Sequence, residues 1–348
     1  MSSVVPDEGG VDPDDDEPDL DLAEQFFVAH GLPWFVDSIR ADVHSRLRRR
    51  RLVLVAAIAS VLGVVVGVAI GLGAPILEWS EQPLADSGFV VGATVAALVV
   101  IGYALVALHA RVIARWAGRR TFSSLGLLFP LVTRALPLLL LFVTFLFINA
   151  EVWEVSSRLH GSVMWLTLAL FVTITVGFLL VRLPEELEVF DAQLDIDRIR
   201  AGTHGTPLEG WHEPLEAALL EEIADDEIEG LQRANLILVL LIAQLVQVLL
   251  LSMAVFVFFV VFGLLVMDGK IIEGWTGGPV TSVPWFDNAN LELLQVSIFL
   301  AAFSGLYFTV YAVTDDVYRR QFFTSILHEL ERAVSARVVY RALRRTRD

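Results

Sequence analysis

Cysteine is absent from the 348 residues. Disulfides, thiol nucleophiles and cysteine-ligated zinc or iron–sulfur sites are excluded together. Lysine is almost absent too, with Lys270 alone against 24 arginines. Charged residues make up 19% of the chain, below the roughly 25% of a soluble domain, and 55% is hydrophobic. The sequence has no glycine-rich phosphate loop ending in Lys-Ser/Thr, no His-Glu-x-x-His pair and no Gly-x-Ser-x-Gly elbow. ATP-driven transport and the familiar hydrolases lose their support. With 41 Asp and Glu against 25 basic residues, the net charge is -16, which argues against nucleic acid as a partner.

The apolar residues are gathered into uninterrupted runs. A bilayer core about 30 Å thick needs about 20 apolar residues in a helix, because lipid leaves no backbone group unpaired. Six runs qualify, at Leu52–Gly73, Gly88–Leu108, Ala135–Trp153, Val163–Val181, Leu236–Met267 and Leu293–Val313. Leu236–Met267 has no turn signal before Gly263 and reads as one long helix. Thr121–Thr133, between Arg120 and Arg134, reads as an interfacial or re-entrant segment. Arginines flank the first run (Arg46 and Arg48 to Arg51), follow the second (Arg111, Arg115, Arg119 and Arg120) and follow the sixth. If both termini are cytoplasmic, only Arg158 and Lys270 are translocated.

The expected fold is an all-α polytopic membrane bundle of six helices with amphipathic helices on the cytoplasmic face. Residues 1–24 hold ten carboxylates and no basic residue, the composition of a disordered tail. Residues 25–51 read as an interfacial amphipathic helix, residues 52–182 as membrane helices 1–4 and residues 234–313 as membrane helices 5–6. The connection between them, 183–233, carries fifteen carboxylates and three arginines. Residues 314–348 hold eight arginines and an apolar stripe through Phe323, Leu327, Leu330, Val334 and Val338, the pattern of a basic amphipathic helix. Opposite charge makes docking between the connection and this helix an expectation.

Within the spans, Gly63, Gly67 and Gly71 recur every four residues, as do Gly88, Gly92 and Ala96. Small residues on one face let helices approach closely in lipid, so the first two spans are expected to form a tight hairpin or, alternatively, a subunit interface. Asn149 and Glu151 fall near the outer end of the third span, Gln244 and Gln247 inside the fifth, and Gln295 near the outer end of the sixth. Polar groups at such depth need water, a partner or a lining. They define a candidate seam between helices 3, 5 and 6 that could carry an ion or small solute, or that could be interhelical glue. His204, His212, Glu209 and Glu213 match no metal-site spacing. No metal, cofactor or catalytic residue is expected. A lipid-acting enzyme would have only Glu151, Glu154 and His160 near a boundary.

The stretch from Arg134 through Pro137 and Phe142 to Phe147, Ile148, Asn149, Ala150, Glu151, Val152 and Trp153 resembles a segment of uncharacterised integral membrane proteins of actinobacteria. The resemblance covers about twenty residues and implies no activity. It implies a bacterial plasma membrane, as the arginine-rich composition also would. The leading functional expectation is a non-enzymatic, transporter-like or channel-like conduit through the polar seam. The alternative is a membrane-anchored sensing or scaffold protein that recruits partners through its acidic connection and C-terminal helix. The expected partners are the lipid bilayer, a cytoplasmic protein and a further copy of the chain.

Overall fold

The computed structural model describes residues 20–73, 84–123, 139–159, 161–191, 196–209, 219, 230–282, 290–314 and 316–347, and these are overwhelmingly α-helical. Helix α1 spans Leu20–Ala29, beginning inside the stretch read as an acidic tail. Ala23 and Phe27 are buried there, so Leu20, Ala23 and Phe27 carry enough apolar surface to order what the preceding carboxylates cannot. The expected single helix over 25–51 is broken. Gly31 takes φ +77°, and Leu32 N–H and Gly31 N–H donate to the carbonyls of Phe27 and Val28 at 2.9 and 3.2 Å, which terminates α1 in a Schellman motif. Pro33, lacking an N–H, then opens a 3-10 turn, Pro33–Phe35, before α2 at Asp37–Arg46.

Helix α3 (Arg49–Gly73) and α4 (Leu84–Ala107) are the first two long apolar helices, and they pack chiefly on each other. At His109, φ 52°, the chain turns by 80° into α5, Ala110–Ser123. Ile113 and Ala117 of α5 are buried, whereas Arg111 and Arg115 are exposed. Thr121–Thr133 lies mostly outside the described residues. The third apolar run is not one straight helix, as the sequence led us to expect. Helix α6, Leu139–Phe147, meets α7, Ala150–Ser157, at 73°. The bend frees backbone groups, and the side chains around it take them up. Asn149 accepts from Glu151 N–H at 2.8 Å as the N-cap of α7, and Trp153 Nε1–H donates to the Phe147 carbonyl at 2.6 Å.

Helix α8 (Ser162–Asp191) is followed by the short α9 (Ile196–Gly202). Helix α10 is continuous over 37 residues, Gly230–Val266, or about 55 Å at about 1.5 Å per residue. Helix α11 (Gly269–Thr276) is capped by Asp268 at one end and by left-handed Gly277 at the other. Helices α12 (Leu291–Thr314) and α13 (Asp316–Arg347) complete the chain. Among the described residues, four helices are long and apolar enough to cross a membrane, or up to six if each bent pair is one span. Val53, Val65, Leu98, Val172 and Leu249 are among the large apolar side chains left exposed on them, a surface compatible with lipid contact.

Helices α8, α10 and α12 form the central bundle, with α6 closing one side through the stack of Phe147 on Phe259 at 4.8 Å. At one end of this bundle α1, the 3-10 turn, α5, α9, the start of α10 and α13 pack together, and their core is continuous with that of the bundle. In α13 the side chains before Leu330 lie outside the described residues, and from Ala333 to Tyr340 every residue is buried.

Candidate functional site

The five polar residues expected to line a seam do not converge. Asn149 and Glu151 are exposed at the α6–α7 bend, where Asn149 serves as a helix cap. Gln295 is buried at the start of α12, and its Nε2 donates to the Leu159 carbonyl at 3.3 Å, tying α12 to the α7–α8 connection. Its neighbour Leu293 packs on Gly263. Gly263 lies 19 residues beyond Gln244 on α10, about 28 Å at about 1.5 Å per residue. Gln244 and Gln247 are therefore a separate pair. Gln244 is fully buried, and among the described residues neither of its amide atoms has a hydrogen-bond partner; Gln247 Oε1 also has none among them.

The glycine rows meet within one chain. A Cβ on Gly63 would stand 2.6 Å from the Gly92 carbonyl oxygen, one on Gly67 would stand 2.7 Å from that of Gly88, and one on Gly92 would stand 2.5 Å from that of Gly63. These faces are occupied by α3–α4 contact. The side-chain surroundings of Gly71 lie outside the described residues.

A polar cluster that the sequence reading missed sits where α10 leaves the apolar bundle. Its first member is Asn235, fully buried: Oδ1 accepts from Trp34 N–H at 2.9 Å, and Nδ2 donates to the Gly31 carbonyl at 3.1 Å. One amide thus closes the turn that joins α1 to the 3-10 helix. The Trp34 indole donates to the Leu108 carbonyl at 3.2 Å, at the α4–α5 bend. One helical turn earlier, Gln232 Oε1 accepts from Arg337 Nη2 at 2.6 Å, and the Arg337 guanidinium lies 5.6 Å from the centre of the Phe35 ring. Such a charge-assisted bond to a buried guanidinium is stronger than a neutral one, and the aromatic face adds to it. The signal was available: Gln232 and Asn235 stand three residues apart just before the longest apolar run, on one face of α10.

Helix α13 is gripped from three sides. Tyr340 lies against Phe27 with ring centres 5.7 Å apart, and its hydroxyl donates to Glu24 Oε1 at 2.8 Å. Arg344 pairs with Asp37. From the connection, Gly202 packs on Ser335, Arg332 Nη2 donates to the carbonyls of His204 and Gly205 at 3.3 and 3.1 Å, and Arg198 faces Glu331 at 3.9 Å. The α9 segment of the connection, with the turn that follows it, is thus docked on the C-terminal helix. Leu219 is buried too, while Leu215 and Ile223 lie outside the described residues.

Burial, then the hydrogen bond and negative charge of Glu24, push the Tyr340 hydroxyl up from 10.0 to about 12. The fold holds this proton more tightly than the unfolded chain does. The associated stability is fully present below about pH 10 and is lost as pH rises towards 12. An alkaline titration that follows exposure of Phe27 should show a transition in that window. Tyr340→Phe, which cannot ionise, should remove it; an unchanged alkaline step in that variant would assign the step elsewhere.

Among the described residues no group of three or more His, Asp or Glu is placed to hold a metal ion. His204 Nδ1 and Glu209 Oε1 stand 2.7 Å apart, and Gly205 N–H donates to the same carboxylate, which makes a loop-ordering pair. His160, His212 and Glu213 lie outside the described residues. No family model, curated protein or solved structure matches the chain.

Proposed function

We propose that this is a membrane-anchored sensing or scaffold protein in which the helical bundle is the anchor and the packed end module presents the connection and α13 to a protein partner. The observation that carries this reading is the continuity of α10, which runs without a break from the bundle into the module, where Gln232 and Asn235 hold α13 and the N-terminal segment. A tilt or displacement of α10 is thereby transmitted to the surface built on it. The reading includes six spans with both termini cytoplasmic. Its support is that α1, α9 and α13 gather at one end, which needs an even number of crossings between them, together with the arginines flanking the first span.

A second reading, the conduit, is favoured by one feature, the Gln244 amide, which has no partner among the described residues, with Gln247 beside it inside the bundle. One experiment with two readouts separates the two. Liposomes containing the protein should pass ions and small solutes no faster than empty ones. A photoreactive side chain at the exposed Asp197 or Arg200, in membranes of cells that make the protein, should give one defined adduct that Asn235→Leu removes. Flux that Gln244→Leu abolishes, with no such adduct, would replace the scaffold by the conduit.

A further inference from the structure

The central bundle is not closed on all sides. Helices α8, α10 and α12 leave a cleft of about 530 Å³ between them, within the lipid-facing stretch of all three. The hollow arises from a mismatch of side-chain size. Helix α12 contributes Ala301, Ala302 and Gly305, whereas Phe171 and Phe256 stand on the other two walls. Gly305 lets α12 approach α10, since a Cβ there would meet Ser252 Oγ at 2.4 Å and Val248 at 3.1 Å. The hollow persists beside this contact because the alanines are too short to fill it.

Of the lining side chains only Thr175, Ser252 and the Trp165 indole carry a polar group, and the Thr175 hydroxyl already donates to the Phe171 carbonyl. The cleft offers a ligand no charge and almost no hydrogen bonding. It opens sideways, because Trp165, Val172, Leu249 and Met253 along it are all more than half exposed. With α8, α10 and α12 read as membrane spans, the surrounding solvent at this level is hydrocarbon, so a water-filled hollow here would be costly and an empty one would forfeit dispersion contacts.

The geometry points to a binding site for one fatty-acyl chain of a bilayer lipid, held between α8, α10 and α12. The volume falls within the roughly 300–1,000 Å³ range of ligand pockets and suits a single chain laid along the helices, not a whole lipid. A chain seated there would act as a removable wedge between α8 and α10. This inference does not rest on the scaffold reading.

The test uses the full chain in phosphatidylcholine and phosphatidylglycerol vesicles that contain a trace of phospholipid with a diazirine on one acyl chain. After irradiation, adducts are mapped by mass spectrometry. Val172 and Leu170 form a matched pair, equally exposed at 56% and two residues apart, with Val172 in the cleft and Leu170 outside it. Val172 and Leu249 should be labelled severalfold more than Leu170. Ala302→Phe fills the hollow from α12 and should remove that excess while leaving Leu170 unchanged. If labelling at Leu170 also changes, so that Ala302→Phe has disturbed the fold, Met253→Trp narrows the cleft from α10 and gives the decision. Native mass spectrometry should show one retained lipid per wild-type chain and none in the filled variant. Equal labelling of Val172 and Leu170, or an excess that survives both substitutions, would overturn the site.

Discussion

Asn235→Leu should open the module at the end of the bundle while leaving the bundle itself assembled. The substitution removes the acceptor for Trp34 N–H and the donor to the Gly31 carbonyl, both in the protein interior. Each stranded backbone group costs about 1–3 kcal/mol, so the pair is worth roughly 2–6 kcal/mol. Total stabilities run at about 5–15 kcal/mol, which makes this loss large. Because the chain has no cysteine, a single cysteine in place of the buried Phe27 reports the opening without further engineering. Its modification by a water-soluble maleimide should accelerate by about a hundredfold, since about 1.4 kcal/mol corresponds to tenfold. Trp34→Phe, which keeps the Asn235 bonds and loses the indole bond to Leu108 and part of the buried ring, should produce a smaller acceleration. Equal rates in wild type and Asn235→Leu would mean that the amide does not hold the turn.

Gly92→Leu should separate α3 from α4. The two helices are held by reciprocal close approach, with each of Gly63 and Gly92 facing the other's carbonyl oxygen. Lipid supplies no hydrophobic drive between helices, so dispersion at this short separation is the main attraction. Only 11% of the most apolar window of α3 is buried, which leaves it few other contacts to fall back on. Overpacking costs typically about 1–3 kcal/mol, and here the atom met is backbone, which cannot rotate away. Spin labels on the exposed Val65 and Leu98 should move apart by several ångströms, and Gly92→Ala should give an intermediate shift. An unchanged distance would mean that the hairpin tolerates the added volume.

The long apolar helices were legible because lipid imposes a coarse rule of length and composition, which α3, α8, α10 and α12 follow singly and α4 only together with α5. The single reading of Leu236–Met267 agrees with the continuous α10. The α6–α7 bend was hidden for the opposite reason. Ile148 and Asn149 interrupt a run whose average remains apolar, and the break is stabilised by local groups, the Asn149 cap and the Trp153 indole, that no hydropathy window registers. Arg337 shows a related limit. An arginine in a basic segment reads as solvated, and only the fold reveals Gln232 and Phe35 around it. The grouping of five polar residues into one seam followed from placing them all in spans. Depth along α10 separates Gln244 from Gln295, and the bend puts Asn149 and Glu151 at a helix terminus.

Thiol accessibility in sealed and opened vesicles tests the whole account most directly. Single cysteines would replace Val65 and Val257, which are exposed on the long apolar helices, Arg200 in the module surface, and Phe27 and Val338 in the module core. A water-soluble maleimide needs both water and a thiolate. Position 200 should react rapidly, positions 65 and 257 should stay silent despite their exposure, and positions 27 and 338 should stay silent until Asn235→Leu releases them. Reaction at 65 or 257 would show that water, not lipid, covers those helices. Reaction at 27 or 338 in the otherwise wild-type chain would show that α10 carries no packed module.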